Sequence, residues 1–283
     1  MSRRDVAHAL MRAVSTLMST PPAGRRQEWR RGTLKRAPRI GAFLGVIAMS
    51  VASVRAQDAR QIIQEVQKRN YSNSQRYEGT LEVVGAGNRV ATKRWVFERM
   101  GSFGDSKAIL RFTAPPEVKG VALLIVNHRD KASDQWMWRP NIGRDQRIAL
   151  QDRSTRFFGT DFSFEDLEER DVDQFDYKLA GEENGQWKIE GRPRKSSQYT
   201  NEILWVNKDR YTIAKVEAYN KKGLARVIEY RDFELDHNIW TARTTEVLDV
   251  ARKSRTILKF DKLEYDLPLK SDDFTVDALR RES

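Results

Sequence analysis

The chain contains no cysteine among its 283 residues. This absence excludes a disulfide framework, a thiolate metal site, a cysteine nucleophile and a lipid-modified cysteine. Histidine is also scarce, since only His128 and His237 follow residue 56. The G-x-S-x-G, H-E-x-x-H, phosphate-loop and EF-hand patterns are missing as well. The sequence therefore does not favour an enzyme, and we expect no cofactor and no metal.

The beginning of the chain resembles an export signal. Basic residues precede an uncharged apolar run of 14 residues, 40–53, which ends in Val54-Arg55-Ala56. Such a run is too short to span a hydrocarbon core, which takes about 20 residues. We predict a signal peptide over residues 1–56, cleavage after Ala56 and a periplasmic mature protein. An uncleaved anchor, twin-arginine rather than general export (from Arg30-Arg31), and a start codon assigned too far upstream remain as alternatives.

Most of the positive charge belongs to this predicted signal. Residues 1–56 hold 11 of the 51 lysines and arginines and 2 of the 40 acidic residues. Residues 57–283 then carry 40 basic and 38 acidic side chains, which lowers the net charge from +11 to +2. A nucleic-acid binder carries a basic surface. We therefore expect no nucleic-acid partner for the mature chain.

The mature chain is predicted to be one β-rich domain, 57–283, because no Pro/Gly/Ser-rich linker divides it. Residues 58–70 place apolar side chains at helical spacing, with Asp58 as N-cap. The period then changes to two. The predicted strands are 78–84, 90–99, 106–113, 120–127, 134–139, 144–150, 174–180, 186–192, 200–207, 211–219, 224–235, 239–250 and 254–265.

An antiparallel meander of this size has to curl or close, so a complete or partial barrel is expected. Residues 121–126 and 203–206 are apolar on both faces and need cover on two sides. Helix 58–70 is a candidate plug or lid for the barrel interior. Residues 151–173 break the strand pattern, and their aromatic side chains predict that this loop packs onto the barrel.

Alternating apolar residues on neighbouring strands predict a broad hydrophobic wall. Its members are Trp95, Phe97, Leu110, Phe112, Leu123, Ile125, Trp136 and Trp138. The wall lines a cavity for acyl chains in one interpretation, and forms an ordinary barrel core in the other.

Three carboxylates, Asp161, Glu165 and Asp166, are the candidates for acid/base chemistry or for a hard-metal site. A helical turn would place Asp161 and Glu165 on one face. The alternative is that Thr160 or Asp161 caps a short turn whose acidic residues complement its N-terminus. The basic residues Arg144 and Arg147 either meet an anionic head group or pair with these carboxylates.

Two clusters resemble a known family. They are Trp136-x-Trp138-x-Pro140 with Arg147-Ile148, and Phe158-Gly159-Thr160-Asp161-Phe162-Ser163-x-Glu165-Asp166. Upstream, Arg111-Phe112-x-x-Pro115-Pro116-x-x-Lys119-Gly120 fits the same pattern. Over roughly residues 58–279 the chain is similar to outer-membrane lipoprotein-sorting proteins of the LolA-like group. The resemblance implies a half-open antiparallel barrel with a helical lid and an apolar concave face.

The resemblance also implies partners. Its leading implication is a non-enzymatic carrier, expected to be monomeric, that shields lipid or lipoprotein acyl chains. Its second is an accessory subunit of an inner-membrane transporter of the resistance-nodulation-division (RND) type that carries no lipid. A secreted hydrolase that uses Asp161 and Glu165 is the third hypothesis. The identity of the cargo, which includes phospholipid and hopanoid among the candidates, stays open.

Overall fold

The computed structural model describes residues 58–281. The predicted signal peptide lies outside this range. Helix α1, Ala59–Arg69, begins at the N-cap Asp58, whose side chain accepts a hydrogen bond of 3.3 Å from the backbone N–H of Arg60. Its apolar stripe, spaced as the sequence predicts, is buried. No helix in the described range is long and apolar enough to cross a membrane.

All thirteen predicted strands are present, with bounds shifted by a few residues. They are β1 Ser74–Val84, β2 Val90–Ser102, β3 Asp105–Ala114, β4 Ala122–Val126, β5 Asp134–Arg139, β6 Arg144–Arg147, β7 Phe175–Glu183, β8 Gln186–Pro193, β9 Asn201–Asn207, β10 Thr212–Asn220, β11 Gly223–Asp236, β12 Ile239–Asp249 and β13 Ser254–Tyr265. Short 3-10 turns lie at Leu150–Asp152, Glu165–Leu167, Val172–Gln174, Ser271–Asp273 and Asp277–Arg280.

The strands form one antiparallel sheet in the order β6-β5-β4-β3-β2-β1-β13-β12-β11-β10-β9-β8-β7. The first and last strands of the chain are neighbours, in register from Gln75 opposite Tyr265 to Val84 opposite Arg255. The two edges, β6 and β7, are consecutive in sequence and do not pair with each other. The sheet is therefore open, which confirms the predicted half-open, mainly β fold.

Two segments cover the concave face, and each forms its own apolar cluster with the sheet. Helix α1 packs its buried stripe on β8, β9 and β10, against residues such as Ile189 and Val206. The segment between the two edge strands, residues 148–174, is called the crossover here. Its aromatic side chains Phe157, Phe162 and Phe164 pack on β2, β3, β4 and β5. The loop predicted to pack back onto the barrel does so, and the helix covers the other half.

The C-terminal segment, residues 266–281, covers the opposite, convex face of β3, β4 and β5. Phe274, Ala278 and Leu279 pack there against Ile109 and Leu124. Strand β4 is consequently buried on both sides, as its uninterrupted apolar sequence requires. The C-terminal segment thus supplies the second cover that the sequence pattern demands.

The β1–β13 pairing depends on a close backbone approach at Gly79, beside a register shift in the ladder. A β-carbon at this position would lie 2.0 Å from the carbonyl oxygen of Lys259. We expect Gly79→Ala to lower the free energy of unfolding by about 2 kcal/mol or more, because the two backbones have to separate. Urea unfolding measures this loss.

Gly87 provides the matched control, since a β-carbon there would meet nothing within 4 Å. Gly87→Ala should change the free energy of unfolding by less than about 0.5 kcal/mol. Equal effects of the two substitutions would contradict the assigned role of the β1–β13 contact.

Candidate functional site

A cavity of about 310 Å³ lies between the helix and the crossover on the concave side. The end of α1 borders it with Val66 and Asn70, and the crossover contributes Glu169. The rest of the lining comes from β1, β2, β10, β11, β12, β13 and the turn at Phe103. The cavity is therefore the part of the concave face that neither cover fills.

Seven of the eighteen residues that line the cavity are aromatic. The ring of Tyr77 lies 4.9 Å from the ring of Phe260 and 5.7 Å from that of Phe97, measured between centroids. Tyr230, Phe233 and Trp240 line the remaining wall. Burial raises the pKa of Tyr230 to about 12 and that of Tyr77 well above its usual range. The walls therefore provide a weakly polar environment in which a charged phenolate is unfavourable.

One buried ion pair forms the polar side of the cavity. The guanidinium of Arg99 on β2 lies 3.0 Å from a carboxylate oxygen of Glu169 in the crossover. Arg99 also donates to the hydroxyl of Ser72 at 2.9 Å, and Ser106 donates to Glu169 at 2.7 Å. The two charges therefore neutralise each other, and neighbouring hydroxyl groups satisfy further hydrogen bonds of both side chains.

The predicted hydrophobic wall is divided between the two faces of the sheet. Trp95, Leu110, Phe112, Leu123 and Ile125 are buried together on the concave face, with Phe97 packed against them. The crossover fills much of this surface, since the ring of Phe157 stacks 5.5 Å from that of Phe112. Of the six, none borders the cavity.

The placement of Trp136 and Trp138 on the same wall was wrong. Trp136 pairs with Leu124 and Trp138 with Ala122, whereas Met137 pairs with Leu123. The alternation of β5 therefore turns both tryptophans to the convex face, where they pack with the C-terminal segment. The sequence places the two on one face but does not state which face, and the register with β4 decides it.

The carboxylate of Asp161 is fully buried and serves as an anchor for the crossover. It accepts hydrogen bonds from Arg156 at 2.7 Å, Ser254 at 2.5 Å and Thr256 at 2.9 Å. Its backbone N–H donates to Thr256 at 2.8 Å. Strand β13 supplies both hydroxyl groups, so Asp161 fastens the crossover to the middle of the sheet.

Glu165 and Asp166 also act as anchors. Glu165 accepts from the backbone N–H of Gln198 at 3.0 Å, and Asp166 accepts from Tyr199 at 2.6 Å and Arg226 at 2.9 Å. Both lie in a 3-10 turn that has no side-chain cap. The prediction that Thr160 or Asp161 caps this turn was therefore wrong, although its acidic residues do occupy the first turn. No helical turn brings Asp161 and Glu165 together either, so the acid/base pair has no geometric basis.

The two candidate head-group arginines do not meet these carboxylates. Arg147 pairs with Asp134 at 2.5 Å and lies over the ring of Trp136 at 5.8 Å. Arg144 is exposed at the start of β6 and forms no ion pair within residues 58–281. Internal arginines, Arg156, Arg170 and Arg226, neutralise the acidic cluster instead.

Sequence reasoning missed the aromatic lining of the cavity. Its members Tyr77 and Phe260 meet because β1 pairs with β13, a contact between the two ends of the domain. Local alternation shows which residues of a strand share a face but gives no partner for the first strand. Nothing in the local pattern separates them from ordinary core residues.

Neither histidine is placed for nucleophilic catalysis. His128 Nε2 contacts Asp134 at 2.9 Å, and His237 Nδ1 contacts Asp236 at 2.8 Å. Within residues 58–281, no serine or threonine hydroxyl is hydrogen-bonded to either ring. The geometry therefore gives no support to histidine-based nucleophilic catalysis.

Replacement of Asp161 tests its role as an anchor. We expect Asp161→Ala to lower the free energy of unfolding by about 3–5 kcal/mol, because Arg156 and two hydroxyl groups lose their acceptor. Thermal and urea unfolding measure the loss. The control is Asp176→Ala, which removes the exposed pair with Arg194 and should cost less than about 1 kcal/mol. A loss at Asp161 no larger than at Asp176 would refute the anchoring role.

Asp134 predicts a pH dependence of stability. Burial alone would raise the pKa of its carboxyl, but hydrogen bonds from Lys131, Arg147 and His128 outweigh burial and hold the pKa well below its usual range. A depressed pKa stabilises the fold above the unfolded value of about 4, and this stabilisation is lost as the pH falls through the folded pKa. Asp134→Asn should therefore cost about 1 kcal/mol at pH 7 and less as the pH falls below about 4.

Urea unfolding of both proteins at pH 7 and pH 3 measures this difference. Asp176→Asn is the control, since its exposed pair should give a small effect at both pH values. A cost of Asp134→Asn that is the same at pH 7 and pH 3 would contradict the assignment.

Comparisons with known proteins agree with this geometry. A family model described only as an uncharacterized protein matches residues 104–281. A structure from Vibrio parahaemolyticus, described as an outer membrane lipoprotein-sorting protein domain, is 26% identical with a TM-score of 0.76, over 79% of this chain and 98% of that one. A DUF1329 family protein from Desulfovibrio piger is 26% identical with a TM-score of 0.75, over 78% and 97%.

A LolA superfamily protein from Nitrosomonas europaea shares the fold at 19% identity, with a TM-score of 0.65 over 79% of this chain and 100% of that one. A comparison with curated protein sequences gave no match. The family model covers more than half of the chain, and the TM-scores of 0.76, 0.75 and 0.65 show that the three structures share its fold. The chain therefore belongs to the family that this model describes, and it shares the fold of the lipoprotein-sorting domain, DUF1329 and LolA superfamily structures.

Proposed function

We propose that this protein is a periplasmic, non-enzymatic carrier that shields an acyl chain in its concave cavity. The observation that carries the proposal is the aromatic cavity of about 310 Å³ left between the helix and the crossover. The description of the Vibrio structure as a lipoprotein-sorting domain supports it. The predicted signal peptide supports export to the periplasm, where an acyl chain needs protection from water.

Burial alone accounts for useful affinity. Each CH₂ group removed from water contributes about 0.8 kcal/mol, so ten such groups contribute about 8 kcal/mol. This free energy corresponds to a dissociation constant of about 1 μM before the costs of association are subtracted. No covalent chemistry is needed for uptake, and release follows when an acceptor membrane or protein binds the chain more tightly.

The volume of the cavity limits the cargo. Ligand pockets typically span about 300–1,000 Å³, so this cavity lies at the small end of that range. The crossover occupies the surface of Leu110, Phe112 and Leu123 that a larger cargo would need. We therefore favour a lipid with one inserted chain over a triacylated lipoprotein bound entirely inside.

Because the crossover fills much of the hydrophobic wall, a second candidate function is also favoured. This is an accessory subunit of an RND-type transporter that binds no lipid. In that case the protein would co-purify with its transporter. Co-purification that persists in a protein whose cavity has been filled would favour this role over transport.

Filling the cavity tests the carrier proposal. Ala242 lines the cavity on β12 and is buried. We expect Ala242→Phe to weaken binding of a fluorescent fatty acyl probe by about tenfold or more, because the ring occupies the space that the chain needs. Probe titration measures affinity, and mass spectrometry of the purified protein identifies any lipid retained.

Trp136→Ser is the matched control, because Trp136 lies on the convex face outside the cavity. It should leave probe affinity within about twofold of the parent. Thermal unfolding of both variants verifies that each remains folded. Absence of co-purified lipid together with no probe uptake by the parent protein would exclude the carrier role.

A further inference from the structure

The sequence motifs Arg111 to Gly120 and Trp138-x-Pro140 converge at a place that the carrier cavity does not use. They line a second cavity of about 460 Å³ on the convex side, called the basic cleft here. Its walls are Arg111, Pro116, Lys119, Gly120, Trp138, Pro140, Arg280 and Arg281. Four of these eight residues are cationic and none is acidic.

Two turns and the C-terminal segment build the cleft. The β3–β4 turn closes through hydrogen bonds to the carbonyl of Pro115, and Gly120 adopts a φ of +79°. A β-carbon on Gly120 would lie 3.0 Å from the ring of Pro140, so the β3–β4 and β5–β6 turns are in contact. Both turns therefore present one continuous surface.

The cations of the cleft differ in how they are compensated. Arg280 pairs with Asp145 and Arg281 with Asp273. Arg111 is 9% exposed, and among the described residues it donates only to the carbonyl oxygens of Leu279 at 2.7 Å and Ala278 at 3.1 Å. The carboxylate of Glu98 attracts it through space but forms no ion pair with it. A buried cation without a directly paired carboxylate is costly. An anion in the cleft would remove that cost.

The adjoining β5–β6 hairpin carries a second unfavourable arrangement of charge. Arg139 and Arg144 are directly opposite each other across the two strands. Like charges in this position destabilise a sheet. Arg139 donates to Gln146 rather than to an acid, and Arg144 and Lys119 form no ion pair within the described chain. An anionic partner would stabilise this tip as well.

Apolar side chains are exposed at the same place. Ile142, at the tip of the β5–β6 hairpin, is 44% exposed, and Pro116 and Pro140 are exposed beside it. A free phosphate ion would gain nothing from contact with these apolar side chains. A lipid surface uses both, since basic side chains bind head-group phosphates while apolar ones enter the boundary with the acyl region.

We propose that the basic cleft and the adjoining hairpin tip dock this protein on a membrane that contains anionic phospholipid, with a head-group phosphate in the cleft. This docking surface is separate from the carrier cavity. The cavity lining includes Phe103, in the turn that precedes β3, whereas the cleft lies at the other end of that strand. Membrane docking therefore leaves the cavity lining in place.

Co-sedimentation of the purified mature protein with lipid vesicles tests the proposal. We expect binding to phosphatidylglycerol-containing vesicles, weaker binding to phosphatidylcholine vesicles, and loss of binding at high salt. Lys119→Glu combined with Arg144→Glu should lower the partition coefficient by on the order of tenfold or more, since two surface cations become anions. Ile142→Ser should reduce the binding that remains at high salt.

Lys221→Glu combined with Lys222→Glu is the control, because it changes the net charge equally at two exposed lysines in the β10–β11 turn, which is several strands from β5 in the sheet order. This variant should keep at least half of the parent's partition. No preference for anionic vesicles, or equal losses in the two double variants, would overturn the proposal. Tight binding of inorganic phosphate without vesicle binding would assign the cleft to a free anion and also overturn it.

The acyl probe titration separates this proposal from the carrier function. The Lys119/Arg144 double variant should bind the probe like the parent, and Ala242→Phe should bind vesicles like the parent. A double variant that lost probe binding and thermal stability together would indicate general unfolding. Lys119→Gln with Arg144→Gln then repeats the vesicle comparison on a folded protein, and unchanged vesicle binding there would refute the docking site.

Discussion

The pairing of β1 with β13 determines the rest of this fold. Because the first and last strands are neighbours in the middle of the sheet, the two edges are β6 and β7, which follow each other in the chain. The connection between them has to travel from one edge of a curved sheet to the other. The crossover takes this path on the concave side, so the aromatic residues at 157–164 enter the interior as a consequence of the strand order.

The path of the crossover buries several acidic side chains, and arginine side chains neutralise them. Glu165, Asp166, Glu168 and Glu169 in the crossover each pair with an arginine: Arg170, Arg226, Arg153 and Arg99. Buried pairs gain little net stability, because both charges lose hydration, but breaking one is costly. A displacement of the crossover would break these pairs, so they oppose any other position of it. The need to pair each buried acid with an arginine explains why acidic and basic residues surround the aromatic motif in the sequence.

The sequence predicted local features well and long-range ones poorly. Thirteen strands and the opening helix follow from alternation and from the spacing of Ile62, Ile63 and Val66, which depend on near neighbours only. The faces of Trp136 and Trp138, by contrast, depend on the register between β4 and β5, and the cavity depends on the β1–β13 contact. Asp161 and Glu165 were candidates for acid/base chemistry because a sequence does not show the burial and the hydrogen-bond partners of a carboxylate. The resemblance to the LolA-like group supplied the half-open topology that periodicity left undecided.

The helix and the crossover, which cover the two halves of the concave face, are joined by direct contacts. The side-chain amide of Gln67 donates to the carbonyl of Arg170 at 3.0 Å and accepts from the backbone N–H of Val172 at 3.3 Å. Arg60 at the start of the helix pairs with Asp173. Since the cavity is bordered by Val66 on one side and Glu169 on the other, its volume depends on how these two covers meet. A ligand in the cavity would contact the helix, the crossover and the sheet at once. Its affinity would therefore depend on the hydrogen bonds of Gln67 as well as on the aromatic side chains that line the cavity.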